Sequence, residues 1–328
     1  MKRVPAVLAG ILLIAALASC AAPSAAAPTP TPPEATPTAG TAAPTAPGSP
    51  TSLASIYAGR ESHVLGTWWW NADLIRKAAD RKIRLDFLQA NGVTEIYLSF
   101  GGVVWDSQYR DFIADCTARG IRVSALDGDA AWLNAEGYAA YERWLAHVAA
   151  YQEAAVEGER FYGIHLDLEP RQNAEYAADP ASMATDVARI YDRARAFCDA
   201  QDLEFAADVS LWLDDPALGT PDPQDPVTLG EYIARRVDTL ALMAYRDTAA
   251  RQFADAQPML RIAQRTGKAV VVGSETGKVD EPEFVTYYEE GKAALVDQMG
   301  KLQILMDGTG LRYGLAIHYV ESWFDLKD

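Results

Sequence analysis

Phe161-Tyr-Gly-Ile-His-Leu-Asp-Leu-Glu-Pro170 is the stretch on which the fold turns. Successive side chains of a strand face opposite ways. His165, Asp167 and Glu169 therefore share one face, and Ile164, Leu166 and Leu168 the other. The apolar row suits a covering layer of helices. A polar row ending in Asp-x-Glu does not suit plain packing, because charged side chains are almost never buried without partners. Pro170 has no backbone donor with which to continue a ladder, so the strand stops there. Two carboxyl groups held rigidly at the end of a strand suit acid/base chemistry.

Similar strand patterns recur along the chain. Strands are predicted at 63–69, 94–100, 121–126, 161–168, 203–211, 238–245, 268–274 and 312–319, with amphipathic helices between them, among them Asp106–Arg119, Ser182–Ala200 and Glu283–Met306. The 3.6-residue spacing is plain in Met183, Val187, Ile190, Tyr191, Ala194 and Phe197. Strands alternating with helices in this way indicate an α/β fold with a parallel sheet, and the (β/α)8 TIM barrel fits best. An open doubly wound sheet is the alternative, but no Gly-rich phosphate loop follows the first strand. The last helix is expected to be short or missing, and residues 52–60 to lie against the bottom of the barrel.

Ahead of this domain, assigned to residues 53–328, stand two segments of different character. Residues 1–19 read as an export signal: Lys2 and Arg3, an apolar run from Val4 to Leu17, then small residues. Leu17-Ala-Ser-Cys20 resembles the bacterial lipobox, which implies cleavage before Cys20 and acylation of its sulfur. The expected location is the extracytoplasmic cell envelope, with the lipid on Cys20 as the sole membrane attachment. Residues 20–52 are almost entirely Ala, Pro, Thr, Ser and Gly, a composition that cannot bury a core. Such a disordered, extended spacer would reach roughly 90–100 Å at about 3.1 Å per residue.

The chain carries a net charge of −16, and loss of Lys2 and Arg3 takes it to −18. That surface repels nucleic acid and anionic lipid headgroups. Beyond Cys20 there are only Cys116 and Cys198, each on a predicted helix and read as separate buried thiols. No cysteine cluster exists to build a thiolate zinc site, and neither a metal nor a cofactor is expected. The domain is expected to be a monomer.

The carbohydrate reading comes from the C-terminal strand ends, where such barrels keep their active sites. There the sequence collects Trp68, Trp70, Trp105, Asp127, Trp132, Asp167, Glu169, Asp208, Trp212, Tyr245, Asp247, Glu275, His318 and Trp323. Seven of the eight tryptophans fall at these ends; Trp144 lies within a helix. Flat aromatic rings stack on sugar faces, and carboxylates bind hydroxyls and perform the chemistry. Trp68, Trp70, Trp105, Trp132, Trp212 and Trp323 are thus candidate stacking residues, and Asp127, His165, Asp208, Asp247 and His318 candidate polar contacts. The loop from Asp214 to Pro226 is expected to rim the cleft.

Two family resemblances follow from these residues. Tyr162-Gly-Ile-His-Leu-Asp-Leu-Glu169 is similar to the Asp-Gly-x-Asp-x-Asp-x-Glu strand of the family 18, chitinase-like glycoside hydrolases. Met243-Ala-Tyr245 looks like that family's Met-x-Tyr, and Trp323 like its strand-eight tryptophan. Tyr162 and His165 stand where the family has two of its aspartates, and strand three lacks the Ser-x-Gly-Gly. This resemblance implies Glu169 as general acid and Asp167 as the residue steering a substrate acetamido group that acts as nucleophile. The second resemblance is to the clan A retaining glycosidases, through Glu169-Pro170 and Val272-Gly-Ser-Glu275-Thr-Gly277, with Leu168 where that clan has Asn. It implies Glu275 as nucleophile. Both name Glu169 as proton donor, whose pKa must then be raised by burial or by a neighbouring carboxylate. Two other readings stay open: a non-catalytic sugar-binding lipoprotein on the same scaffold, and a metal-dependent hydrolase using His63, His165, Asp167, Glu169 and His318.

Overall fold

The computed structural model describes residues 52–60, 62–102, 104–173, 179–218, 220–280 and 282–328. Residues 1–51, including the signal, Cys20 and nearly all of the spacer, lie outside the described residues.

Eight strands close into a parallel barrel in sequence order: β1 Leu65–Trp69, β2 Glu95–Ser99, β3 Arg122–Asp127, β4 Gly163–Leu166, β5 Glu204–Val209, β6 Thr239–Leu242, β7 Ala269–Glu275 and β8 Tyr313–His318. This is the expected (β/α)8 class. Among the described residues the helices are α1 Leu53–Ile56, α2 Ala78–Ala90, α3 Asp106–Thr117, α4 Ala135–Ala154, α5 Pro180–Gln201, α6 Leu229–Ala234, α7 Ala249–Thr266, α8 Lys292–Asp307 and α9 Val320–Asp325. None of them is long and apolar enough to cross a membrane. Cys116 on α3 and Cys198 on α5 are separate buried free thiols.

Strand alternation divides the interior into two layers. Outward residues such as Ile164, Leu166 and Leu168 of the central segment join Leu65, Trp69, Ile96, Leu98, Phe205 and Val270 in one continuous core beneath the helices. The lumen holds a smaller cluster of Trp68, Tyr97, Leu126, Ala241, Val271 and Ala316. Large aromatic rings here occupy a space usually filled by branched aliphatics, and glycines make room for them. A Cβ on Gly66 would meet the Tyr97 hydroxyl at 2.6 Å.

Entry into β4 is pinned from α4. Gln152 accepts from the Phe161 N–H at 2.9 Å and donates to the Phe161 carbonyl at 3.0 Å. The β4 ladder is shorter than the predicted 161–168 and ends at Leu166, although the Asp167 N–H still reaches the Asp127 carbonyl at 3.1 Å. The helix expected over Glu283–Met306 is also shorter. Glu275 bridges to Thr286, the Gly291 N–H bonds the Tyr287 carbonyl, and Gly291 at φ +87° turns the chain before α8 begins. α1 opens on the Ser52 capping box and packs against α8 near the start of β1, where Tyr57 donates to the Val64 carbonyl. The short last helix, α9, is as expected.

Candidate active site

The polar row of β4 points into the lumen. His165 is fully buried there, its ring 4.0 Å from that of Tyr97 on β2 and 6.0 Å from that of Trp68 on β1. Asp167 and Glu169 sit above it, half-buried, beyond the end of the ladder. Gly128, just past β3, packs so tightly on this segment that a Cβ would lie 1.8 Å from the Asp167 carbonyl oxygen. Pro170 starts a short 3₁₀ turn, Pro170–Gln172, which brings Gln172 back to donate to Glu169 Oε1 at 2.6 Å.

Asp208 on β5 completes the floor. Its Oδ2 accepts from Trp68 Nε1 at 2.9 Å, and His165 Nε2 lies 2.9 Å from the same oxygen, within ion-pair range but outside hydrogen-bond alignment. Trp68 thus spans the lumen from β1 to β5. Burial pushes the Asp167 carboxyl well above its ordinary range, and the charges of Asp208 and Glu169 push it further. Glu169 is raised by burial and then by Asp208, with His318 opposing. A carboxyl shifted toward its protonated form is what a proton donor needs.

On the opposite wall, Glu275 at the end of β7 is enclosed, only 2% exposed. Its Oε1 accepts from the Thr276 and Gly277 backbone N–H groups at 2.8 and 2.5 Å, and its Oε2 bonds His318 Nδ1 at 2.6 Å. Trp70 Nε1 donates to His318 Nε2 at 2.9 Å. An indole nitrogen can only donate, so Nε2 carries a lone pair and the Nδ1 proton points at Glu275. Burial disfavours charging His318, but the Glu275 carboxylate beside it outweighs that and draws its pKa up. The His318 ring stacks on Tyr245, with centroids 5.7 Å apart. Burial and the surrounding Asp208, Glu275, Asp167 and Glu169 keep the Tyr245 hydroxyl protonated. Gly273 leaves space for this ring, since a Cβ there would stand 3.0 Å from Tyr245 Cε1 and 3.3 Å from Trp68 Cη2.

One site therefore gathers Asp167, Glu169, His165, Asp208, Tyr245, Glu275, His318, Trp68 and Trp70. Other candidates lie elsewhere. Trp132 is buried against Tyr141 and Trp144 beneath the helix layer, and Trp323 is buried on α9 against Phe87, so neither offers a face to a sugar. The reason for both is local: each ring sits on a helical turn just past its strand and turns back into the outer core. Trp68 is enclosed as well and serves as lumen floor and donor rather than as an open platform. Trp212 is half-buried with the Arg171 guanidinium 3.9 Å over its ring, whereas Trp105 is 79% exposed. Asp127 follows the outward parity of Val123 and Ala125; it accepts from the Gly128 N–H, and burial lifts it to about 6. Asp247 turns toward the loop after β7, with its N–H on the Phe284 carbonyl and its charge near Tyr287. Of the Asp214–Pro226 loop, Asp214 is tied back by the Thr228 hydroxyl at 3.0 Å.

His63 lies before β1, at the other end of the barrel, stacked on Tyr57 with Nε2 2.9 Å from the Gly92 carbonyl. It is thus separated from the other histidines of the metal reading. Among the described residues no three His, Cys, Asp or Glu side chains are grouped as a metal ion would require. Two contributors, Tyr97 and Gln172, were not singled out from sequence. Tyr97 was legible in the alternation Glu95, Tyr97, Ser99, whereas nothing marks Gln172 before the 3₁₀ turn is known.

No protein-family model matches the sequence, and no curated protein is significantly similar to it. Solved structures are similar in fold. A family GH18 chitinase from Cycas revoluta, in complex with allosamidin, superposes with a TM-score of 0.51 at 12% identity, over 80% of this chain and 96% of that one. The spore cortex-lytic enzyme SleL of Bacillus megaterium gives 0.49 at 11% identity, over 80% and 72%. The PgaB (BpsB) glycoside hydrolase domain of Bordetella bronchiseptica gives 0.47 at 11%, over 80% and 96%. The chain has a divergent chitinase-like barrel fold.

Proposed function

We propose that this protein is an exported glycoside hydrolase that cleaves an N-acetylated glycan, with Glu169 as general acid/base and Asp167 as the residue steering the substrate's acetamido group. The observation that carries the proposal is the pair itself. Asp167 and Glu169 rise from one strand into one lumen, half-buried, and both are pushed toward their protonated forms by burial. The likeness in fold to a chitinase crystallised with allosamidin supports the substrate class.

In this mechanism Glu169 gives its proton to the glycosidic oxygen as the bond to the anomeric carbon breaks. The acetamido carbonyl oxygen closes on that carbon, and Asp167 faces the charge developing on the amide nitrogen. Glu169, now a carboxylate, takes a proton from the water that opens the cyclic intermediate, so the anomeric configuration is retained. Tyr245, its hydroxyl kept protonated, donates to the reacting centre. Glu275 is read as a support rather than a nucleophile, because both of its oxygens are already engaged and its side chain is enclosed. Attachment of the protein to the cell envelope through Cys20 belongs to the same proposal; loss of labelling by a fatty-acid probe in Cys20→Ala would test it.

The test of the chemistry is hydrolysis of N-acetylglucosamine oligomers by wild type and Glu169→Gln. Cleavage by wild type alone, with binding kept by both, supports the enzyme. Binding by both without cleavage by either supports a binding module.

A further inference from the structure

The two ring nitrogens of His318 meet partners with opposite demands. Nδ1 lies 2.6 Å from Glu275 Oε2, and that carboxylate favours an imidazolium. Nε2 lies 2.9 Å from Trp70 Nε1, and an indole nitrogen, which can only donate, requires a lone pair there. A neutral ring with its proton on Nδ1 satisfies both partners, whereas a charged ring satisfies Glu275 alone. A proton on Nε2 would stand against the indole N–H, donor against donor.

Trp70 has room to respond. Its ring is half-buried against the lumen cluster and meets the His318 ring edge to face, with centroids 6.3 Å apart and planes at 73°. Its backbone is held on both sides. β1 ends at Trp69, the Trp70 carbonyl accepts from the Ala72 N–H at 3.1 Å, and the Asn71 N–H bonds Glu321 Oε1 at 3.2 Å. Loss of the His318 acceptor therefore turns the side chain and leaves the main chain in place. Trp68 is enclosed deeper on β1, so of the two tryptophans in the site Trp70 is the one with surface left for a sugar.

We infer that His318 is a positioning residue whose neutral ring holds Trp70 as a sugar platform, and that protonation at Nε2 releases the indole and weakens glycan binding. The glycan part rests on the function proposed above, whereas the tautomer and its titration do not. The groups facing the His318 ring are Glu275 from β7, Asp208 from β5, Glu169 from beyond β4, Tyr245 from beyond β6, and Tyr319 and Glu321 from beyond β8, with Trp68 and Trp70 on the β1 side. Burial works against a charge on the ring, but Glu275, Asp208 and Glu169 together outweigh it, so its pKa lies above the ordinary histidine value. Above that pKa the ring is neutral and Trp70 is held. As pH falls through it, Nε2 takes a proton from solvent, the indole N–H turns to water and the platform is lost.

The deciding experiment is a pH titration of full-length protein carrying ¹⁵N-histidine and ¹⁵N-tryptophan, with the ring nitrogens followed in long-range ¹H–¹⁵N spectra. At alkaline pH His318 should show the Nδ1–H tautomer, and the Trp70 indole resonance should shift with the His318 midpoint as pH falls. Glu275→Gln should lower that midpoint by about one unit or more, and Trp70→Phe should raise it. Wild type should bind N-acetylglucosamine oligomers roughly 2–10-fold more weakly below the midpoint than above it, the worth of an aromatic contact, and Trp70→Phe should lack that step. An Nε2–H tautomer at alkaline pH, an indole resonance that ignores the His318 midpoint, or oligomer binding unchanged across it would overturn the inference. Should a variant not fold, the wild-type titration decides alone. A coupled titration in a protein that binds no oligomer at any pH would leave the His318–Trp70 linkage standing and defeat the proposed function instead.

Discussion

Glu275 Oε2 and His318 Nδ1 are joined by a 2.6 Å hydrogen bond across the β7–β8 pair, and the ring thus held is the one on which Tyr245 stacks. With its other oxygen on two backbone N–H groups, Glu275 is a buttress for the wall opposite Glu169. Glu275→Ala should therefore cost stability, about 1–3 kcal/mol from the partners left unpaired. Its activity should not return on addition of azide. A retaining nucleophile behaves otherwise, because azide fills the cavity, restores turnover and yields a glycosyl azide of inverted configuration. That product would reassign Glu275.

Gly273 tests whether the position of Tyr245 matters. A methyl group there would press on the Tyr245 and Trp68 rings. Gly273→Ala should lower kcat about 10-fold or more, since small misplacements of a reacting group are costly, while circular dichroism stays unchanged. Tyr245→Phe in the same assay should fall at least as far. Unaltered turnover in both would remove Tyr245 from the mechanism.

Burial of Asp167 has a thermodynamic signature of definite sign. Because folding raises its pKa, the folded chain binds more protons than the unfolded chain above the ordinary carboxylate range near pH 4. That contribution to stability is whole below this range and declines as pH rises toward the raised value. Asp127, raised to about 6, adds a second decline that ends near that pH. Asp167→Asn and Asp127→Asn should each be more stable than wild type at pH 7, on the order of 1–3 kcal/mol or several degrees in Tm. At pH 3 the advantage should vanish. Only Asp167→Asn should lose activity.

Trp105 offers an open ring on the loop after β2, so it is the stacking candidate whose removal leaves the core untouched. Trp105→Ala should raise KM for long oligomers roughly 2–10-fold, matching about 0.5–1.5 kcal/mol for an aromatic contact. Tm and kcat should not move. An equal effect on the shortest cleaved oligomer would place Trp105 at the reacting centre instead.

The barrel was legible because its signal is periodic: the alternation in Ile164, Leu166 and Leu168 against His165, Asp167 and Glu169 is repeated, less cleanly, in every strand. The two-sided character of β4 carries directly to the lumen position of the carboxyls. Aromatic residues at strand ends carry no such sign. Trp70 and Trp132 both follow a strand, yet Trp70 meets His318 while Trp132 packs on Tyr141, since the first turn after each strand sets the direction. Gln172 and Arg171 were missed because their contacts with Glu169 and Trp212 depend on the 3₁₀ turn after Pro170.

The most direct measurement is time-resolved ¹H NMR of N-acetylglucosamine oligomers incubated with wild type and with Glu169→Gln. Wild type should release a reducing end of retained β configuration, and Glu169→Gln should be slower by about 10²–10⁴-fold while binding the oligomer as well. Hydrolysis with inversion, or turnover that is the same in both proteins, would contradict the assignment of Glu169 and Asp167.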